Sequence, residues 1–224
     1  MILDGRVSIS GTTVTDPSRR IVPEKAAIAI DGSSRQKAAL LTIALHKPRG
    51  YVTTRSDPQG RQTVYDLLGD VPARVVPVGR LDLATSGLLI LTTDTQLANY
   101  LTDPKSAVPR VYLVTVEGRA TDAVVRQLIT GIQSDGERLT AAAAEVQKAS
   151  GRESHLVVTL HEGKNRELRR MFDRVGLPVR RLRRVQFGEL KLGTLAPGKW
   201  REISCEELKT AFPRYPSRRA PNPK

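Results

Sequence analysis

Cysteine is almost missing from this chain: Cys205 is the only one in 224 residues. A disulfide within the chain and a cysteine-based metal cluster are both excluded, and the lone thiol reads as an inert packing or surface group. Three histidines, His46, His155 and His161, are too scattered to suggest a metal site. Aromatic residues reach only 4%, which argues against a protein that stacks many successive bases. No apolar run approaches the length of a membrane span; the longest, Gly87 to Leu91, is strand-sized. The opening MILDGRVSIS lacks the charged-then-apolar pattern of a secretion signal. There is no Walker-type phosphate loop and no convincing internal repeat. A reducing, cytoplasmic setting away from membranes is expected.

Acidic residues are also in short supply. Asp and Glu total 23 against 36 Lys and Arg, a net charge of +13. Such a balance predicts a polyanionic partner, most often nucleic acid. An anionic membrane surface is the other candidate, but no basic amphipathic helix carries a bulky aromatic face to dock there. The apolar content of 39% is enough for one large domain, or a small one beside a larger.

What is present is organised around Val75 to Asp94, VVPVGRLDLATSGLLILTTD. Apolar residues lead into Gly79-Arg80-Leu81-Asp82, a polar loop follows, and Leu88-Leu89-Ile90-Leu91 reads as a strand buried on both faces. A charged Arg-x-Asp pair thus sits on a loop beside a rigid scaffold, where site residues tend to lie. Alone, such a pair is more often a structural ion pair.

In chain order, 1–32 reads as a small β-rich piece, with a strand near Arg6–Ser10, turns at Gly11 and Asp16-Pro17, and a last strand Ala27–Ile30. Ser33 to Ala39 reads as a linker. A second domain over 40–212 opens with a strand from Leu40 to Leu45, which His46-Lys47-Pro48-Arg49-Gly50 should break. Lys47, Arg49, Arg55 and Arg61 then fall on a basic loop suited to phosphate contact. Thr63 to Leu68 suggests one or two helical turns. Helices are expected at Thr95–Leu101 and Thr121–Ile129, with strands at Arg110–Val116, around Ala144–Val146 and at Ser154–Leu160. Arg110 to Val116 should set Tyr112, Val114 and Val116 on one face.

After EGKNR, Asn165 is placed to cap a helix whose apolar face is Leu168, Met171, Phe172 and Val175, ended by Gly176. Its outward side should carry Arg166, Arg169, Arg170 and Arg174. With Arg180, Arg181, Arg183 and Arg184 close behind, this forms a dense anion-facing surface. Leu190–Leu192 and Trp200–Ile203 read as strands. The stretch 213–224 is basic, Pro-rich and expected to be disordered.

Two resemblances follow. GRVSISG…TDPSRRIVPEKAAIAIDG resembles the second half of the alpha-L RNA-binding module; of the usual first half, two basic helices, Met1-Ile2-Leu3-Asp4 stands where the second helix would end. Then HKPRG, GRLDLATSGLLILTTD, RVYLVTV and EGKNRELRRMF, in that order, resemble the RsuA/RluB-type ribosomal RNA pseudouridine synthases from about Leu45 to Ile203. That resemblance implies an α+β fold: a mixed, mostly antiparallel sheet with flanking helices and a central cleft. It implies isomerisation of a uridine in ribosomal RNA, or in a pre-ribosomal particle, by a monomer without cofactor or metal.

It further implies that Asp82 is the catalytic aspartate, acting as nucleophile or as a base on the sugar. Arg80 corresponds to the arginine that fills the vacated space or holds the flipped nucleotide's phosphate, and Tyr112 to the tyrosine that stacks on the uracil. Lys164 corresponds to the basic residue paired with the carboxylate, keeping it ionised in a dry pocket. Leu168 corresponds to the apolar residue under the base. Arg49, Arg110, Arg166, Arg169 and Arg170 are the expected RNA contacts. The family's usual lysine is Arg110 here, and its asparagine before Lys47-Pro48 is His46. Large-subunit RNA is favoured because GLPVRRLRRVQFGELKLGTLAPGKWREIS more closely resembles the RluB side of the family; small-subunit RNA is the alternative target. A non-catalytic RNA-binding or ribosome-assembly factor is the first alternative. A glycosidase or nuclease is the second, though no second acid lies near Asp82 in sequence.

Overall fold

The computed structural model describes residues 1–21, 26–34, 40–69, 71 and 74–215. The chain divides into two compact units, Met1–Ala39 and Leu40–Lys224. In the first, β1 (Val7–Ile9), β2 (Thr12–Val14), β3 (Ile28–Ile30) and β4 (Ser33–Ser34) form an antiparallel sheet in the order β2-β1-β3-β4. Ser33 and Ser34, read from sequence as linker, instead pair with Ile30 and Ala29. The rest of the expected linker, 35–39, lies outside the described residues.

The second unit is built on β5 (Thr42–Lys47), β6 (Val76–Pro77), β7 (Thr85–Thr92), β8 (Arg110–Glu117), β9 (Ile132–Ser134), β10 (Glu137–Leu139), β11 (Ala143–Ala149), β12 (Glu153–Leu160), β13 (Val179–Phe187), β14 (Leu190–Lys191) and β15 (Trp200–Glu202). Its helices are α1 (Thr95–Thr102), α2 (Asp122–Thr130), α3 (Glu167–Arg174) and α4 (Cys205–Ala211). The main sheet runs β11-β12-β8-β13-β7-β5-β15, with β14 on β13 and β6 on β7. Its pairs are antiparallel except β13 with β7. The expected α+β fold with a mixed, mostly antiparallel sheet and flanking helices is the one observed. One core lies under β8, β12 and α3, around Val114, Leu156, Leu168 and Phe172. Two more lie on opposite faces of β7: Leu88 and Ile90 pack toward α1, Leu89 and Leu91 toward Val64 and Val75.

Several local expectations are corrected. β5 starts at Thr42 rather than Leu40, and His46-Lys47 continue it instead of breaking it. The reason is pairing on both sides: His46 and Lys47 oppose Leu88 and Gly87, and the His46 amide donates to the Lys199 carbonyl at 2.9 Å. Asn165 does not cap α3. Arg166 occupies that place with φ 47°, and its side chain makes no capping bond. Arg169, expected outward, is only 9% exposed. Pro213–Tyr215, assigned to the tail, are placed: the Tyr215 hydroxyl donates to Asp94 at 3.0 Å and its ring lies 5.3 Å from Tyr100. Residues 216–224 lie outside the described residues.

Candidate active site

The loop between β6 and β7 is fastened by its neighbours. Lys47, wholly buried at the end of β5, donates from Nζ to the carbonyls of Pro48 (3.1 Å), Asp82 (3.0 Å) and Thr85 (2.8 Å). Sequence reading set Lys47 on a phosphate-binding loop; in the fold all three of its donors hold backbone. Thr53 accepts from the Leu81 amide and donates to the Leu81 carbonyl, and the Gly50 amide donates to the Leu83 carbonyl. Arg169 reaches over from α3 to the Ala84 carbonyl at 3.3 Å and to the Val179 carbonyl at 3.1 Å. So the backbone on both sides of Asp82 is clamped while its side chain stays 38% exposed. Burial pushes the Lys47 ammonium down to about 8, opposed by the Asp82 charge.

β7 and β13 approach unusually closely. A Cβ on Gly87, whose φ is +112°, would stand 2.1 Å from the Arg184 carbonyl oxygen. Only glycine lets these strands run side by side here. That approach brings Arg184 under the loop, where its Nε donates to the Leu88 carbonyl at 2.8 Å.

Above this floor opens a cleft of about 410 Å³. Asp82, Arg80, Tyr112, Lys164, Leu168, Arg110 and Arg166 all line it. Three of the four separated sequence motifs therefore converge on one hollow, and the fourth, through Lys47, holds the loop beneath it. Arg49 lies exposed, and neither it, Arg169 nor Arg170 is part of the lining. Tyr112 and Leu168 are 8% and 3% exposed, forming an apolar wall that a flat ring could rest on.

Three expected roles change. Lys164 does not pair with Asp82: its Nζ donates to Glu162 (2.8 Å) and to the Arg138 carbonyl (3.0 Å), and the bond to Glu162 is the main reason its pKa is raised. The cation facing Asp82 is Arg166, 3.9 Å away and half exposed. Its left-handed backbone at the start of α3 turns it there, a conformation that a non-glycine residue adopts only at some expense. Arg110 is not a free phosphate contact: it is buried, donates to the Leu101, Val108 and His161 carbonyls, and lies 4.8 Å over the Phe187 ring. Burial depresses its pKa. Arg170 ties α3 to the β9–β10 hairpin through Asp135, Glu137 and the Ser134 carbonyl.

Sequence reading missed Glu162, Thr85, Glu167 and Arg184 in the lining, and with the two glutamates the second acid it looked for. Arg184 was discoverable: along β13 it shares a face with the buried Leu182. Thr85 Oγ1, Glu167 Oε1 and Arg184 Nη2 are buried without a hydrogen-bond partner among the described residues, and their residues all line the cleft. Among the described residues no group of His, Cys, Asp and Glu could hold a metal ion, and no helix is long and apolar enough to cross a membrane.

A sheet crossed by a cleft with one half-exposed aspartate, a tyrosine and a wall of arginines is an architecture for handling a nucleotide. The sequence model of one family, RNA pseudouridylate synthase, matches residues 42–174. An uncharacterized RNA pseudouridine synthase of Aquifex aeolicus is 37% identical over 213 residues, covering 95% of this chain and 86% of that protein. Ribosomal large subunit pseudouridine synthase B of Bacillus subtilis is 33% identical over 211 residues, covering 93% and 86%. A crystal structure of a pseudouridylate synthase superposes with a TM-score of 0.70 at 27% identity, covering 94% of this chain and 90% of the other. The chain belongs to the RNA pseudouridylate synthase family.

Proposed function

We propose that this protein isomerises a uridine of large-subunit ribosomal RNA to pseudouridine, with Asp82 as the catalytic carboxylate. The observation that carries the reading is the shared cleft: Asp82, presented on a loop clamped by Lys47, opens onto the same 410 Å³ hollow as Tyr112 and Leu168. Clamping the backbone while leaving the carboxylate accessible holds it ready for attack or proton abstraction. The target base must leave its stack to enter, at an expense of a few kcal/mol. Tyr112 and Leu168 offer the surface that compensates, and Arg80, exposed at the rim, is suited to the vacated space or the flipped nucleotide's phosphate.

The name of the Bacillus subtilis relative supports the large subunit as substrate. The net charge of +13 suits RNA or a pre-ribosomal particle, and a chain with one cysteine suits a reducing cytoplasm. The chemistry calls for no cofactor or metal, and we read the active form as a monomer. The sheet β1–β4 is read as resembling the second half of an alpha-L RNA-binding module, and 40–212 as the catalytic domain. The decisive experiment is tritium release from RNA labelled at uracil C5, followed by mapping of modified sites in large-subunit RNA. Release that Asp82→Asn abolishes while RNA binding persists is the expected result. RNA binding with no release by the wild type would make this a binding factor instead.

A further inference from the structure

One buried acid of the cleft has no role in the reading above. Glu167 is the first residue of α3 and is only 3% exposed. Its Oε2 accepts from the Lys164 amide at 3.2 Å. Its Oε1 is buried, and no donor meets it among the described residues. An unpartnered carboxyl oxygen in such a place is unfavourable, and its persistence at a functional cleft asks for a reason.

The surroundings supply one. Glu162, 29% exposed, is near enough to hydrogen-bond with Glu167 when one of the two carries a proton. Two carboxyls, one buried and one reaching solvent, form a short path for a proton out of the cleft. Arg110 lies within electrostatic reach of both Glu167 and Tyr112, so the acid belongs to the wall on which the uracil is read to stack.

Isomerisation leaves one proton to remove. Once C1′ is bonded to C5, that carbon still carries its hydrogen, and the ring regains its C5–C6 double bond only when the hydrogen leaves as a proton. We propose that Glu167 Oε1 accepts this proton and passes it through Glu162 to water. The C5–H electron pair becomes the C5–C6 double bond, the C6–N1 π pair moves onto N1, which takes a proton from water, the O–H bond forms on Glu167, and loss of that proton to solvent restores the enzyme. This rests on the pseudouridine synthase reading, but holds for either role of Asp82 in the earlier steps.

The acid is tuned for the task. Burial, and then the Glu162 charge, push Glu167 up to about 7, against the Lys164 amide bond and ammonium, which lower it. Arg110 on β8 also favours the charged form. A base poised near neutrality is the efficient choice at neutral pH.

The test uses Glu167→Gln, whose amide oxygen still accepts from the Lys164 amide but takes no proton. Uridine-containing RNA and RNA with 5-fluorouridine at the target are compared; the fluorinated base has no C5 proton to lose. The expected result is a loss of uridine turnover of about a hundredfold, with RNA binding and rearrangement of the fluorinated target unchanged. Uridine turnover within a few-fold of wild type overturns the proposal, as does equal loss on both substrates, which would leave only a loop tie. Should Glu167→Gln fail to fold, Glu162→Gln serves: relieved of its anionic neighbour, Glu167 should titrate lower. The acidic limb of the pH–rate profile then shifts down; a limb that stays put overturns the proposal. Failure of the underlying reading is recognised separately, as absence of wild-type turnover on uridine RNA.

Discussion

Two sets of cations divide this molecule. Lys47, Arg110, Arg169 and Arg184 are buried and each donates to main-chain carbonyls around the cleft. Arg49, Arg80, Arg181 and Arg183 are exposed, and their side chains make no hydrogen bond or ion pair among the described residues. The chemistry is alike, yet the first set builds the site and the second is left for a polyanion. Charge density in sequence announces a partner, but burial decides which cations are free to meet it.

The sharpest way to break this contrast is at its centre. Asp82→Asn is expected to reduce isomerisation to background while RNA affinity persists, read by tritium release and filter binding. Lys47→Met comes next: Asp82 and Thr85 lose a donor, and the fold should lose about 3 kcal/mol in denaturant melts together with most activity. The same change at exposed Arg49 should leave stability unaltered.

Glu167 gives a pH-dependent version of the comparison. Its folded pKa, about 7, stands above its ordinary 4.5, so the folded state holds more protons between those values. Stability should therefore fall as pH rises through that window, by on the order of 2 kcal/mol, and Glu167→Gln should flatten the curve. Thermal melts from pH 4 to 8 measure this.

Smaller effects test which cation serves Asp82. Arg166→Met should lower turnover more than Lys164→Met, on the order of fivefold, because both Arg166 and Asp82 remain partly in water. The reverse ranking would return Lys164 to the carboxylate. Smallest of all, Arg183→Ala should leave turnover at saturation unchanged and reduce the salt dependence of RNA binding by about one unit of slope.

Much was legible without coordinates. The alternation Arg110 to Val116 set Tyr112, Val114 and Val116 on one face, and the structure buries that face while Leu113 is exposed. The apolar run after Asp82 is the buried centre of β7. The four motifs on which the resemblance rests all reach one cleft or its floor. What sequence periodicity mistook was the fate of individual polar residues. Arg169 reads as outward by helical spacing but is drawn in by the carbonyls of Ala84 and Val179.

The order of residues by itself determined most strand and helix segments, the loop that carries Asp82 and the excess of positive charge, because these follow from local periodicity, turn chemistry and net charge. Only the tertiary structure decided that Lys47 clamps the loop, that Lys164 turns to Glu162 and Arg166 to Asp82, and that Glu167 is buried beside them. Those choices depend on which carbonyls and carboxylates meet across the sheet, through contacts as distant in sequence as Lys47 with Thr85 and Arg184 with Leu88.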